Sequence, residues 1–268
     1  MIIQHNIAAI NSYRNLGINQ KALSKNLEKL SSGYRINRAG DDAAGLAISE
    51  QMRSQIAGLN QASKNSDDAV GLIQTMEGAL TETHSMLQRL TTLATQSANG
   101  TYNQTARDNI QKEVDALTAE MNRIAENTSF NEVNLLTGND ATFQIGATGA
   151  EKLDVTGAEM TATGLGVDAI DLSDQTKANA AIKTIKTAIN KVSEFRANLG
   201  AQQNRLEHTI NNLNVTSENI TAAESRIRDT DMADEITAFT KNNILLQSAQ
   251  SMLSQSNAVP QGVLSMLQ

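Results

Sequence analysis

The sequence predicts a mainly α-helical protein, a long antiparallel helical hairpin or coiled-coil bundle with a small β-hairpin region where the chain turns back. Only one of its 268 residues is proline, Pro260, so very few positions interrupt a helix. Aromatic residues make up 3% of the chain and tryptophan is absent from it, which indicates an aliphatic core. A 4-3-4-3 spacing from Ala178 to Ile227 places apolar residues at eleven of fifteen positions, the pattern of a coiled-coil strand.

The N-terminal segment, residues 1–32, predicts an amphipathic helix. Its apolar residues recur at helical spacing, with a shift of register in the middle of the segment. The stripe that we expect to pack in an assembly consists of Ile3, Ile7, Ile10, Leu23, Leu27 and Leu30.

The central segment, residues 46–227, predicts a helical bundle with helices at about 46–98, 105–127 and 175–227. Thr105 and Asp108 have the spacing of a capping box, which suggests the start of the second of these helices. A β region is expected at about 138–168, because apolar residues alternate with polar ones on both sides of a glycine-rich turn. The alternating pairs are Phe143 with Ile145 and Leu153 with Val155.

The C-terminal segment, residues 228–268, predicts another amphipathic helix with a wider apolar stripe. We expect its packing residues to be Ile236, Phe239, Leu246, Leu253, Val263, Leu264 and Leu267. Because the chain doubles back, the N- and C-terminal helices should pair. A pair of only two helices buries little of its apolar surface and is marginal alone. The excess apolar surface therefore predicts partners from other chains.

Composition and motifs argue against several classes of function. The net charge of −7 and the lack of a long basic run argue against a nucleic-acid partner, and no apolar run is long enough for a membrane span. Cysteine is absent, and the three histidines are scattered, so we expect no cofactor, no metal site and no enzyme. Asp41 and Asp42 resemble a metal-binding carboxylate pair, but their place before an alanine-rich helix favours a structural role. The N-terminus has no pattern of a cleaved signal peptide.

Two sets of motifs resemble the signatures of bacterial flagellin. The segment from Leu30 to Gly45, LSSGYRINRAGDDAAG, is similar to the N-terminal signature, as are Thr75 to Leu80 and Leu87 to Leu90. The segments from Arg226 to Ala233, RIRDTDMA, and from Gln255 to Gln261, QSNAVPQ, are similar to the C-terminal signature. The resemblance covers residues 1–138 and 175–268, so this chain looks like a short flagellin without large outer domains.

The resemblance implies a non-enzymatic subunit that polymerises into the bacterial flagellar filament for motility. Residues 1–32 and 228–268 would then form the inner-tube domain, residues 33–45 the spoke segment, and residues 46–227 the outer helical domain. Four charged residues of the spoke would make contacts within and between subunits: Arg35, Arg38, Asp41 and Asp42.

The resemblance also implies partners and a location. The partners would be other copies of the chain, a flagellar export chaperone, a cap protein, a hook-associated junction protein and the host innate receptor Toll-like receptor 5. Arg89, Leu93 and Glu113 stand at the positions implied for receptor recognition. The protein would be secreted into the extracellular filament by type III export without a cleaved signal peptide. Two alternatives remain open at this point: a hook–filament junction protein and an intracellular coiled-coil adaptor.

Overall fold

The computed structural model describes residues 5–265, with side chains through residue 262. The described chain contains helices and one two-stranded sheet, in the order α1 (Ile7–Ser32), α2 (Ala43–Ser97), α3 (Gln104–Asn127), β1 (Ala141–Gln144), β2 (Lys152–Val155), α4 (Ala162–Leu165), α5 (Gln175–Arg228) and α6 (Met232–Ser265). The predicted fold class, a long helical bundle with a small β hairpin, is confirmed. The chain divides into two units, one made of Met1–Ser54 with Asn219–Gln268 and the other of Gln55–Glu218.

Helix α1 has a well-defined start and end. The Asn6 side chain accepts a hydrogen bond from the backbone N–H of Ala9 at 3.0 Å, which satisfies one of the free donors of the first turn. The helix ends at Gly33, whose φ of 76° is the left-handed conformation that glycine adopts without strain. Its N–H donates to the carbonyl of Lys29 at 2.8 Å.

Helix α3 begins at Gln104, one residue before the predicted start at about 105, but its cap is not the predicted capping box. The N-cap is Asn103, whose Oδ1 accepts the N–H of Ala106 at 2.9 Å, so Thr105 lies inside the helix. Asp108 accepts a hydrogen bond from the side chain of Gln104 instead of closing a capping box. Asparagine is at least as good an N-cap as threonine, and it stands two residues earlier.

The unit Gln55–Glu218 has one aliphatic core between α2, α3 and α5. Three side-chain contacts show that α2 and α5 run antiparallel. Residues further along α2 contact residues nearer the start of α5. Asn60 contacts Ser217, Ser63 contacts Asn214, and Glu77 contacts Arg196. The fully buried side chains of this core include Ile73, Met76, Leu80, Leu87, Leu90, Met121, Ile185 and Leu199.

The β hairpin forms where the alternation predicts it. β1 and β2 are antiparallel, with Phe143 opposite Leu153 and Ala141 opposite Val155. Leu153 and Val155 are buried in the core of the unit, while the intervening Asp154 is exposed. The hairpin loop lies against α2, since the Cβ of Ala147 is 3.1 Å from where a Cβ would stand on Gly58.

The segment between β2 and α5 is held by polar side chains of the helices. The Gln111 side chain donates to the carbonyl of Ile170 at 2.9 Å and accepts the N–H of Leu172 at 2.7 Å. Ser97 donates to the carbonyl of Leu172 at 2.6 Å. These bonds keep Leu172 buried in the core without leaving its backbone groups unsatisfied.

Candidate functional site

The unit made of Met1–Ser54 and Asn219–Gln268 has almost no core of its own. Within it, α1 and α6 pack side by side. They run antiparallel, since Asn6 donates to the carbonyl of Ser256 at 2.8 Å and Lys29 lies 3.5 Å from Glu235. Among the described residues of this unit, Ile36 is the one apolar side chain larger than alanine that is fully buried.

Most of the large apolar side chains that are exposed in the described chain belong to this unit. Thirteen of the sixteen that are highly exposed belong to it. They are Ile7, Ile10, Tyr13, Ile18, Leu27, Tyr34, Ile48, Met232, Ile236, Ile244, Leu245, Met252 and Val259. We call these thirteen residues the outer apolar surface. Single exposed apolar residues are common on soluble proteins, but the concentration of thirteen in one unit is typical of an interaction surface.

The residues predicted to pack in an assembly fall into two groups. Five of them are half-buried between α1 and α6: Leu23, Leu30, Phe239, Leu246 and Leu253. Four others, Ile7, Ile10, Leu27 and Ile236, are exposed and belong to the outer apolar surface. Ile3 and Leu267 lie outside the described residues, as do the side chains of Val263 and Leu264.

The predicted spoke segment is attached to the chain between α5 and α6. The backbone N–H of Arg35 donates to the carbonyl of Arg228 at 2.7 Å, and the N–H of Thr230 donates to the carbonyl of Gly33 at 3.0 Å. The Arg35 guanidinium donates to the carbonyl of Ile227 at 2.6 Å. These bonds make a short antiparallel ladder around the bridge between Tyr34 and Asp229.

Arg228 holds this junction together, and the sequence analysis did not identify it. Its guanidinium lies 4.7 Å from the centre of the Tyr34 ring, and its Nη1 is 2.7 Å from the Glu50 carboxylate. The hydrogen bond from Arg228 is the main reason that the pKa of Glu50 is lowered. The only signal in the sequence was the position of Arg228 in the RIRDTDMA motif, which does not reveal its partners.

The other three predicted spoke residues make contacts within the chain. Arg38 lies 2.7 Å from Glu28, and Asp42 caps α2 by accepting the N–H of Gly45 at 2.9 Å. Asp41 lies 2.8 Å from Lys25, and the hydrogen bond from that lysine, followed by those from the backbone, lowers the pKa of Asp41. Asp42 therefore has the structural role at the start of α2 that its position in the sequence favoured.

The three residues implied for receptor recognition are placed differently. The guanidinium of Arg89 on α2 lies 2.7 Å from the Glu113 carboxylate on α3, and both side chains are well exposed. The hydrogen bond with Glu113 raises the pKa of Arg89. Leu93, one turn further along α2, is 1% exposed and belongs to the core. The ion pair is therefore accessible at this surface, whereas Leu93 is not.

The described residues contain neither a helix that could cross a membrane nor a group of three possible metal ligands. What they do contain is a well-packed helical bundle and a unit whose apolar side chains point outwards. These features define a structural protein of the self-assembling helical class, whose function lies in its contacts with other protein chains.

Comparisons with known proteins identify the family. Residues 3–141 match the bacterial flagellin N-terminal helical region, and residues 182–267 match the bacterial flagellin C-terminal helical region. The chain belongs to the bacterial flagellin family, whose members are the structural subunits of the flagellar filament. This is a family of structural proteins, and its filament is extracellular.

Several relatives are similar over their whole length. The chain is 52% identical to the flagellin of Halalkalibacterium halodurans over 271 residues and 50% identical to that of Bacillus subtilis, in both cases with 100% of each chain covered. It is 49% identical, again over both full lengths, to the flagellar filament 33 kDa core protein of Treponema phagedenis.

Solved structures support the fold. The crystal structure of Bacillus cereus flagellin is 32% identical, with a TM-score of 0.52 over 60% of this chain and 94% of that chain. A putative flagellar hook-associated protein from Vibrio parahaemolyticus has a TM-score of 0.61 over 70% of this chain and 100% of that chain. At 12% identity, it shows similarity of fold alone.

Proposed function

We propose that this chain polymerises through its outer apolar surface, which neighbouring copies cover in the filament. The observation that supports the proposal is the concentration of thirteen of sixteen exposed large apolar side chains in the unit of α1 and α6. Fully burying one such side chain is worth about 1.5–3 kcal/mol. Burying several of them at each subunit contact is therefore enough to offset the loss of freedom on association.

We propose for this chain the domain roles that the resemblance to flagellin implies, and the same distribution of exposed side chains supports them. Residues 1–32 and 228–268 form the inner tube, residues 33–45 are the spoke, and residues 46–227 form the outer tube. The bundle of the second unit buries its own aliphatic side chains, so it needs no neighbour for its stability. The unit of α1 and α6, in contrast, leaves thirteen large apolar side chains exposed. Because its α1 and α6 present different apolar patches, the contacts between copies are heterologous and build an open helix.

The test is polymerisation of the purified protein on addition of ammonium sulfate, followed by electron microscopy. Ile18 is 58% exposed on α1, and Ile18→Glu places a charge within the outer apolar surface. We expect this variant to form no filaments. Gln20→Glu adds the same carboxylate at an exposed polar position of the same helix and should polymerise like the wild type. Filaments of normal abundance from Ile18→Glu would contradict the proposed role of this surface.

The spoke residues have a second role in the proposal, as contacts between subunits. Arg38 remains 76% exposed at its side chain although it pairs with Glu28, so it has donors available to a neighbour. Arg38→Ala should therefore raise the protein concentration needed for polymerisation more than it lowers the melting temperature of the monomer. If the variant and the wild type polymerise above the same protein concentration, Arg38 makes no contact between subunits and only pairs with Glu28 within the chain.

We also propose that the Arg89–Glu113 pair is recognised by Toll-like receptor 5. The observation that favours it is an exposed ion pair that joins α2 and α3 above the buried Leu93. Arg89→Ala should weaken binding of the monomer to the receptor ectodomain. Arg123→Ala is the matched control, since it removes another exposed arginine–glutamate pair, with Glu120 on α3. Equal affinity of the Arg89→Ala variant and the wild type would exclude this site.

The remaining partners follow from the proposed filament role. They are an export chaperone that holds the C-terminal segment, a cap protein at the growing tip and a hook-associated junction protein at the base. Export would proceed without cleavage, so peptides from the first residues of this sequence should be recovered from the subunit in sheared filaments. A hook–filament junction protein would be scarce in sheared filaments, and an intracellular adaptor would be absent from them.

A further inference from the structure

The turn between α2 and α3 contains the only asparagine of the chain that is followed by glycine. The sequence has 27 asparagines, and glycine follows Asn99 alone among them. Helix α2 ends at Ser97 and α3 is capped by Asn103, so Asn99 and Gly100 lie in the connection, where both are exposed. An asparagine and a glycine in this order can react with each other, because the glycine has no side chain that would hinder the approach of its nitrogen to the asparagine amide.

The backbone nitrogen of Gly100 is free in this turn. Its N–H makes no hydrogen bond within the described chain, whereas the N–H groups of Asn99, Thr101 and Tyr102 all donate. Their acceptors are the carbonyl of Gln96 at 3.2 Å, the side-chain oxygen of Asn99 at 3.5 Å and the carbonyl of Asn99 at 3.4 Å, respectively. A Cβ on Gly100 would have no atom within 4 Å of it. The nitrogen is therefore both unpaired and unobstructed.

The peptide bond between Asn99 and Gly100 is polarised by two hydrogen-bond donors. Its carbonyl oxygen accepts a hydrogen bond from the Arg107 guanidinium at 3.2 Å and another from the N–H of Tyr102 at 3.4 Å. No carboxylate pairs with Arg107 within the described chain, so its positive charge is not neutralised. When a peptide nitrogen loses its proton, negative charge spreads onto the carbonyl oxygen, where these donors stabilise it. The nitrogen of Gly100 is therefore easier to deprotonate than an ordinary peptide nitrogen.

The side chain of Asn99 is open to attack at its Cγ. The N–H of Thr101 donates to Asn99 Oδ1, which draws electrons away from Cγ. Asn103, in the same connection, differs on both points. Its Oδ1 caps α3 by accepting the N–H of Ala106 at 2.9 Å, and the residue that follows it is Gln104. Two exposed asparagines of one short segment therefore differ in reactivity.

We propose that Asn99 is a site of spontaneous deamidation, and that the fold of this turn promotes the reaction. The Gly100 nitrogen gives up its proton and bonds to Asn99 Cγ, while the bond between Cγ and Nδ2 breaks and ammonia leaves with that proton. A cyclic succinimide remains. Water then adds to one of its two carbonyl carbons and opens the ring, which gives aspartate or isoaspartate at residue 99. The conversion consumes one water, releases one ammonia and includes no redox step.

Each converted subunit carries one additional negative charge where α2 joins α3. Arg107 already contacts residue 99, so a cation stands beside the new carboxylate and favours the charged product. The fraction of converted chains should increase with the age of the subunit. The reaction needs no second chain, so it goes beyond the proposed filament role and does not depend on it.

The experiment is incubation of the full-length protein at neutral and at mildly alkaline pH, followed by mass spectrometry of its peptides. In the wild type, the peptide with residues 99 and 100 should gain about 1 Da, and about 2 Da more in ¹⁸O-labelled water, because the new oxygen comes from water. It should separate into two forms, of which an isoaspartate methyltransferase labels one. The rate should rise with pH, because the attacking nitrogen must lose its proton.

Two variants distinguish the contribution of the fold from that of the sequence. Gly100→Ala should slow the gain of mass roughly tenfold because its Cβ hinders the attack, and the open space around this residue accommodates the methyl group. Arg107→Gln keeps the reacting pair but removes the cation, and should slow the gain by roughly three- to tenfold at this solvent-exposed site. Melting curves followed by circular dichroism check that both variants fold. The wild type in urea, which lacks all these contacts, should convert more slowly than the folded protein.

Three results would overturn the inference. They are no gain of mass at Asn99 in the folded wild type, an equal gain at Asn103, or a rate that is as high in urea and in Arg107→Gln as in the folded wild type. None of them bears on the filament role, which polymerisation in ammonium sulfate tests separately.

Discussion

The tight turn at Phe130–Val133 contains a strained residue whose replacement should stabilise the protein. The N–H of Phe130 donates to the carbonyl of Val133, and the N–H of Val133 donates back to the carbonyl of Phe130, both at 3.0 Å. The two residues between them have positive φ angles, 49° at Asn131 and 67° at Glu132. A two-residue turn of this kind needs positive φ at both positions, for which asparagine followed by glycine is the favoured pair. Glutamate at the second position is therefore strained.

The size of the strain follows from the backbone geometry. An L-residue with a Cβ in the left-handed region costs about 1–2 kcal/mol. Glycine relieves that cost, but its greater freedom in the unfolded chain takes back about 0.5–1 kcal/mol. The exposed Glu132 side chain has no ion pair in the described structure, so little else is lost. Glu132→Gly should raise the free energy of unfolding by about 0.5–1 kcal/mol.

The assay is urea unfolding of the monomer, followed by helical circular dichroism, with calorimetry as a second probe. The midpoint should rise in Glu132→Gly at an unchanged slope, and the melting temperature should rise by about 1–4 °C. Glu132→Ala is the matched control, because it removes the same carboxylate but keeps the Cβ that causes the strain. It should unfold close to the wild type. A lower midpoint for Glu132→Gly, or an equal rise for Glu132→Ala, would refute the reasoning.

Four further substitutions test the packing and the charges. Leu90 is fully buried, so Leu90→Ala should lower the free energy of unfolding by about 2–5 kcal/mol. Leu27 is 50% exposed, so Leu27→Ala should change the free energy of unfolding of the monomer by less than about 0.5 kcal/mol. The Leu27→Ala variant should nevertheless polymerise less well. Gly157→Ala would place a Cβ against the carbonyl oxygens of Asn139 and Leu135, and should lower the unfolding free energy by about 1–3 kcal/mol in urea titrations. The hydrogen bond from Lys177 is the main reason that the pKa of Asp171 lies well below its usual range, so carboxyl NMR should show that pKa rising in Lys177→Met. Because the pKa of Asp171 is lower in the folded state than in the unfolded state, its carboxylate stabilises the fold above the unfolded-state pKa. That stability is lost as the pH falls towards the folded-state pKa. Lys177→Met should therefore make the loss of stability on the acid side less steep.

The parts of the fold that depend on periodicity could be predicted from the sequence. The 4-3-4-3 spacing predicted a helix close to α5. Its positions spaced by seven from Ala178 to Leu206 are buried, and the alternate positions such as Ile182 and Ile189 are half-buried. The alternation of apolar and polar residues located the β hairpin, including the burial of Leu153 and Val155. A periodic pattern reports which face of an element is apolar, and burial follows directly from it.

The parts that depend on long-range polar contacts could not be predicted. Gln111 looks like an ordinary surface glutamine on a helix, yet its side chain holds the backbone of residues 170 and 172. The contact of Arg228 with the Tyr34 ring also does not follow from sequence spacing. The same is true of the burial of Leu93 in the core. Likewise, an apolar stripe on α1 did not reveal that Leu23 would face α6 while Ile7 and Ile10 would point outwards. Such assignments require the position of the neighbouring element, which a local pattern does not contain.

The absence of cysteine from the chain allows a direct measurement of the central claim, that copies of this chain cover the outer apolar surface. A single cysteine in the variant Ile18→Cys can be labelled with a maleimide in the monomer and in the assembled filament, with the urea-unfolded chain as the reference for full reactivity. The account predicts rapid labelling in the monomer and strong protection in the filament. Labelling of the filament at the same rate as the monomer would contradict it.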